Sequence, residues 1–267
     1  MVAPIYIIAI SLGIAFLIGI FRKSNKNVSG MLMLLALACM SFISAQWFIS
    51  FMTSTQSPEY IYTAGFKPPF SINLLMGLNE SFFTLIINAA AFLGAIYLYN
   101  DLKKQGTNAM SVFLGFAMAL NVMVMTRDIF NLYVFLEIVS VATAGLIILD
   151  KGLKSTSAGF KYMIATGIIS SLLLIGIVFA YSYSGTLNID GLIKANIGVL
   201  KGGAIAIFLI LIAIVLELKP FPANGWALDV YQGANPGISA MISAASASAS
   251  LYVLYKLLPI AGEAWYP

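Results

Sequence analysis

Leu216-Glu217-Leu218-Lys219-Pro220-Phe221-Pro222 closes an apolar run that begins at Gly202, and its reading decides the fold. An ammonium and a carboxylate are costly in hydrocarbon, and ionisable residues kept within spanning segments line ion paths or pair with one another. The prolines remove backbone donors and break the helix where the charge sits. Such a break is tolerated at membrane depth only against protein or a hydrated cavity. The stretch predicts a broken membrane helix and points to ion translocation.

The rest of the chain agrees. Of 267 residues, 61% are apolar and 9% charged, and the mean hydropathy is +0.96, a bilayer composition rather than that of a soluble domain. The net charge of +4 is spread over loops without a basic run, which excludes a nucleic-acid partner. One cysteine, Cys39, and no histidine exclude disulfide frameworks, haem ligation through histidine, typical zinc sites and Ser-His or Cys-His pairs. No cofactor motif or metal constellation is visible, so any redox chemistry belongs to other chains.

At ~20 apolar residues per span, the windows fall at 3–21, 29–52, 72–98, 109–126, 129–149, 160–182, 203–232 and 237–257. The seventh is overlong and reads as two half-helices. Ala3–Phe21 lacks a charged leader and a cleavage pattern and reads as a retained span. Arg22, Lys23, Lys26, Lys103, Lys104, Lys151, Lys154 and Lys161 sit in or beside one set of alternate loops, which places that set on the cytoplasmic side and the N-terminus outside. Residues 53–70 read as an outward loop by Pro58, Gly65, Pro68 and Pro69. The alternation of Leu192, Ile193, Ile197 and Leu200 with Asp190, Lys194 and Asn196 suits a short interfacial helix.

Glu137 is the clearest second intramembrane charge, about two turns into the fifth window. A lone carboxylate there would be neutralised by protonation, whereas a nearby lysine would keep it ionised, so Glu137 and Lys219 are natural partners. At ~4 Å and an effective dielectric near 20 such a pair is worth roughly 4 kcal/mol. Separating the two would let desolvation unload the amine, and the pair becomes a pump element; the plain alternative is a static lock between helices. Glu217 stands ~200° around a regular helix from Lys219, so the two face apart unless the break re-aims one. It could meet a neighbouring subunit, pair with Lys161, or be solvated at an interface. Glu80, Arg127 and Asp128 read as interfacial or capping groups. The serine-rich eighth helix, with Ser246 and Ser248, reads first as close packing and second as a hydrated proton path.

Several stretches in order resemble the antiporter-like subunits shared by respiratory complex I, Mrp-type sodium/proton antiporters and archaeal membrane-bound hydrogenase or sulfur-reducing complexes. They are Gly65-Phe66-Lys67-Pro68-Pro69-Phe70-Ser71-Ile72, then Arg127 to Glu137, Lys161-Tyr162, Ser184 to Ile189, and Lys219 to Pro236 with Trp226 and Asp229. The resemblance implies an all-α polytopic membrane protein of about eight spans, with helices 1–3 over residues 1–98 and one five-helix repeat over 99–267. It maps Glu137 and Lys219 onto the family's helix 5 glutamate and helix 7 lysine. Beside that mapping, the residues themselves offer Glu217, Ser246, Ser248, Lys161 and Asp229 as possible relay groups. Ser248 stands about where the family carries a helix 8 lysine, and Asn224 near its usual histidine. Family members run to about fourteen spans in two inverted repeats, of which this chain holds the first.

The expected function is proton translocation, or proton/sodium exchange, as a subunit of a multisubunit energy-converting redox complex in a prokaryotic plasma membrane. Expected partners are other membrane subunits, including another antiporter-like one, with protons or sodium as the ions and no cofactor of its own. A stand-alone Mrp-type antiporter subunit and a non-transporting spacer are the alternatives.

Overall fold

The computed structural model describes residues 1–20, 26–53, 56–63, 65–68, 71–150, 152–199 and 201–262, with backbone alone at Lys201. The loop cations Arg22, Lys23 and Lys151 and the turn residues Pro69 and Phe70 lie outside the described residues. In chain order the helices are α1 (Ile5–Ile20), α2 (Lys26–Thr53), α3 (Leu78–Tyr97), α4 (Tyr99–Gln105), α5 (Thr107–Met125), α6 (Ile129–Ile148), α7 (Leu153–Ser184), α8 (Ile189–Ala195), α9 (Lys201–Glu217), α10 (Gly225–Gly233), α11 (Pro236–Met241) and α12 (Ala247–Leu257). α11 runs into α12 through one π-helical stretch, Ile242–Ser246.

Among the described residues six helices have the length and apolarity to cross a membrane: α2, α3, α5, α6, α7 and the compound helix Pro236–Ala261. The other two expected spans are shorter. α1 has 16 residues and α9 has 17, less than the ~20 that match a hydrocarbon core. The third window also begins later than expected, because Asn73–Met76 is a strand, β2, paired antiparallel with β1 (Glu59–Tyr62). The stretch expected as a plain loop is therefore a hairpin, and the helix starts at Leu78, where the Glu80 carboxylate turns back to the Gly77 N–H at 3.1 Å. Asp128 caps α6 through the Asn131 N–H at 2.7 Å, as its capping reading required. The interfacial stretch forms α8, opened by Asn188, whose side chain accepts from the Gly191 N–H.

α1, α2 and α3 gather around α5, the most enclosed of the spanning helices. α6 and α7 continue the row, α9 packs along α7, and α12 closes against α3, α5 and α9. The α7–α9 approach is close enough that a Cβ on Gly176 would stand 3.0 Å from the Ile210 nitrogen and 3.1 Å from the Ala206 carbonyl oxygen. That closeness holds the broken helix against its neighbour.

Between α2, α3 and α5 lies a polar clasp. Asn88 donates to Ser44 at 2.7 Å and to the Asn121 carbonyl at 3.1 Å, and Asn121 returns a bond to Asn88 at 2.8 Å. All three side chains are fully buried. Asn88→Leu takes the Asn88 donor from the Asn121 side-chain oxygen, while the Asn121 NH2 keeps the Ala117 carbonyl, and is expected to cost about 1–3 kcal/mol, read as a lower thermal midpoint in detergent. Adding Asn121→Leu should recover part of that loss.

The α5–α6 link forms a small cap at one end of the bundle. The Arg127 N–H donates to the Asn73 carbonyl at 3.0 Å, and the Ile189 N–H donates to the Arg127 carbonyl at 2.8 Å, so residues 126–128 lie extended between β2 and the start of α8. The Arg127 guanidinium pairs with Asp190. Burial opposes its charge, but the bond to Asp190 and that carboxylate's charge outweigh it and hold the guanidinium charged, above its ordinary range.

Candidate functional site

α9 ends at Glu217 because Pro220 and Pro222 cannot continue its hydrogen-bond ladder. The chain turns at Lys219, whose φ of +58° is left-handed and costly for a residue with a Cβ. The turn folds the lysine back over the helix end it has just left. Its ammonium donates to the Glu217 carbonyl at 2.7 Å and reaches the Glu217 carboxylate at 3.5 Å, with the two side chains 7% and 3% exposed. The Trp226 ring of α10 lies 5.7 Å from the ammonium, a further stabilising contact for a cation.

This arrangement corrects two expectations. Glu217 is neither solvated at an interface nor paired with Lys161: it is buried, and the break re-aims Lys219 onto it. Among the described residues no ion pair joins Glu137 to Lys219; the carboxylate within 4.0 Å of Lys219 is that of Glu217. Glu137 is half-buried on α6 and within electrostatic reach of Glu217, so two carboxylates and one ammonium share the break. Lys161 pairs instead with Asp229, both side chains half exposed, beside an open hollow of about 360 Å³ that Lys154, Ser157 and Gln232 also line. Ser246 is buried and Ser248 half-buried on the π-helical stretch and α12.

Residues 126–266 match the family model described as NADH:quinone oxidoreductase/Mrp antiporter, transmembrane, a stretch that contains Glu137, Glu217 and Lys219. The chain belongs to this antiporter family. It is 30% identical over 219 residues to NADH-quinone oxidoreductase subunit N of Desulforudis audaxviator, covering 79% of this chain and 43% of that protein. A chain of an archaeal respiratory complex, the membrane-bound sulfane sulfur reductase, superposes with a TM-score of 0.84 at 29% identity over 94% of this chain and 52% of that one. A chain of the Mrp complex from Dietzia sp. shares the fold, with a TM-score of 0.86 at 19% identity over 96% of this chain and 49% of that one. The chain thus spans about half the length of the relatives it matches.

This antiporter-family chain carries a second buried charge cluster, at the capped end of the bundle. Lys256 of α12 is 4% exposed. Its ammonium donates to the carbonyls of Met123 at 2.5 Å, Val124 at 3.1 Å and Thr126 at 2.9 Å. Met123 and Val124 lie in the last turn of α5, where carbonyls lack intrahelical partners, so the lysine caps that helix with all three of its N–H groups. Tyr252, one turn earlier, donates its hydroxyl to Glu80. Its ring centroid lies 5.8 Å from the Lys256 ammonium. Sequence reading took Glu80 as a cap, which it is, but missed Lys256, although a cation among the apolar residues of α12 was there to be seen. The buried lysine of this helix stands two turns beyond Ser248.

Proposed function

We propose that this chain moves protons, or exchanges protons with sodium, as an antiporter-like subunit of a multisubunit energy-converting redox complex in a prokaryotic plasma membrane. The observation that carries the reading is the buried Lys219 at the helix break, in a strained backbone conformation, with Glu217 against it and Glu137 nearby. A buried amine whose counter-charge can be changed suits a proton carrier: Glu217 compensates the ammonium, and withdrawing or neutralising that carboxylate leaves a charge without a partner in an apolar setting. Glu137 is the second counter-charge, and competition between the two carboxylates for one ammonium sets when the proton leaves. Relatives named as subunits of NADH-quinone oxidoreductase and of an archaeal respiratory complex support a redox-driven setting and membrane partners, including another antiporter-like subunit.

In this reading residues 1–98 form an N-terminal helical unit and 99–267 the transport repeat, with the N-terminus outside. Lys161, Asp229, Ser246 and Ser248 are candidate relay groups toward the surface. The test is charge removal at constant shape in the assembled complex reconstituted in liposomes. Glu217→Gln and Glu137→Gln are each expected to slow proton translocation about tenfold, the equivalent of ~1.4 kcal/mol on the limiting step. An unchanged rate in both would favour a spacer.

A further inference from the structure

Where the start of α7 meets the end of α10, the surface opens into the hollow of about 360 Å³ that holds the Lys161–Asp229 pair. Its base is fixed by close packing. A Cβ on Gly233 would stand 2.7 Å from the Ala158 Cβ and 3.0 Å from the Lys154 carbonyl oxygen, so the two helix ends touch there. Around the base stand Lys154, Ser157 and Lys161 from α7 and Asp229 and Gln232 from α10, all exposed. Their charges do not balance. Lys161 is matched by Asp229, whereas Lys154 forms no ion pair among the described residues. The same end of the bundle carries Lys103 and Lys104 on α4, which is tied to the α10–α11 joint where Asn235 donates to Asp101 at 3.2 Å.

Below the hollow α7 turns apolar. Leu153, Ser157, Phe160, Ile164 and Ile168 recur at steps of three and four residues and so form one stripe. Leu153 is 93% exposed, and Phe160, Ile164 and Ile168 are each more than half exposed. With 32 residues α7 is ~48 Å long, more than the ~30 Å of a hydrocarbon core. Its charged first turns therefore lie at headgroup depth, and the apolar run that follows Lys161 lies in hydrocarbon.

We propose that this hollow binds the headgroup of an anionic phospholipid that carries free hydroxyls, of the phosphoglycerol class, with its acyl chains along the α7 stripe. Phosphate oxygens accept from the Lys154 ammonium, from the Ser157 hydroxyl and from an N–H of Lys161 that Asp229 leaves free, since an ammonium has three. The headgroup hydroxyls donate to the Asp229 carboxylate and the Gln232 side-chain carbonyl. A phosphodiester bears one negative charge, which matches the one unbalanced ammonium; a zwitterionic headgroup leaves that ammonium uncompensated. A free phosphate or an acidic protein segment answers the charge but makes no use of the apolar stripe beneath it. The site does not depend on Lys219 carrying protons.

The test is native mass spectrometry of the full chain in detergent, titrated with phosphatidylglycerol or phosphatidylethanolamine and challenged with glycerol phosphate or a poly-glutamate peptide. Lys154→Gln is compared with Lys104→Gln, an exposed lysine of the same end that stands outside the hollow. The expected result is one phosphatidylglycerol bound in preference to phosphatidylethanolamine, with affinity about tenfold lower in Lys154→Gln and unchanged in Lys104→Gln. Neither competitor displaces it. Equal affinity in the unsubstituted and Lys154→Gln chains overturns the site, and so does an equal loss in Lys104→Gln, which reduces the attraction to surface charge alone. Displacement by glycerol phosphate assigns the hollow to a soluble phosphate ester, and displacement by the peptide assigns it to an acidic protein segment; either one overturns the lipid.

Discussion

Lys219→Ala is expected to abolish proton translocation in the reconstituted complex, with at least a hundredfold loss if the amine is the group that carries the proton, since among the described residues no other amine stands at the break to replace it. The side chain is 7% exposed and its ammonium sits between a backbone carbonyl and a carboxylate of the same residue, Glu217. Removing one member of a buried pair leaves the other uncompensated, at a cost of ~3–5 kcal/mol if it stays charged. Glu217 has a less costly outcome, which is to take up a proton, so assembly should survive while transport does not. Proton uptake by an entrapped dye, together with subunit recovery after purification, checks both halves. Assembled complex that still pumps at the unsubstituted rate would remove Lys219 from the mechanism.

The second large effect is expected at Lys256, and there it falls on the fold. Lys256→Met keeps the length and apolar volume of the stem but deletes an ammonium that closes the last turn of α5 through three carbonyls. It also removes one of the two cations, Lys256 and Arg127, whose charge reaches the buried Glu80. The freed carbonyls lie away from water, and leaving buried polar groups unpartnered costs about 1–3 kcal/mol, a large share of the stability of a typical domain. The expected result is poor recovery of folded protein and a thermal midpoint well below that of the unsubstituted chain. Lys256→Met combined with Glu80→Gln should regain part of the loss, because the carboxylate that lost one of its counter-charges is gone. If Lys256→Met alone folds with an unchanged midpoint, the lysine is not the cap described above.

The two lysines separate by their surroundings. Lys256 uses all three N–H groups on fixed backbone carbonyls, so losing its proton forfeits bonds that nothing else replaces. Lys219 has one backbone carbonyl, one carboxylate at 3.5 Å and an aromatic ring, and its strongest partner is itself able to change charge. An ammonium held by fixed dipoles is a structural element, whereas one held by a titratable group is a switch.

Much of the architecture was legible before any coordinates. Apolar runs separated by charged or turn-forming residues mark membrane helices, because hydrocarbon admits a backbone only if its hydrogen bonds are closed internally. Pro220 and Pro222 mark the break for the same reason. Lys219, Glu217 and Glu137 stand out because charge in an apolar run is costly wherever the chain goes. The β1–β2 hairpin was not legible. Its strands are four residues each, Glu59–Tyr62 and Asn73–Met76, too short for periodicity to register, and β2 is further bridged to the distant α5–α6 link through Leu74 and Thr126.

The amino-acid order by itself determined that this chain is helical, membrane-embedded and interrupted at Lys219, because hydrophobicity, proline and buried charge act through energies large enough to be read residue by residue. Tertiary structure alone decided who meets whom. A helical periodicity sets Glu217 and Lys219 on opposite faces, and a single left-handed residue brings them together. Tyr162, Thr143 and Ser140 look like ordinary core residues in sequence. Only the packing of α6, α7 and α9 leaves their hydroxyls buried without a partner among the described residues, with Tyr162 within electrostatic reach of Glu217. Partner choice depends on angles and approach distances between segments far apart in the chain, and these are fixed by packing rather than by local composition.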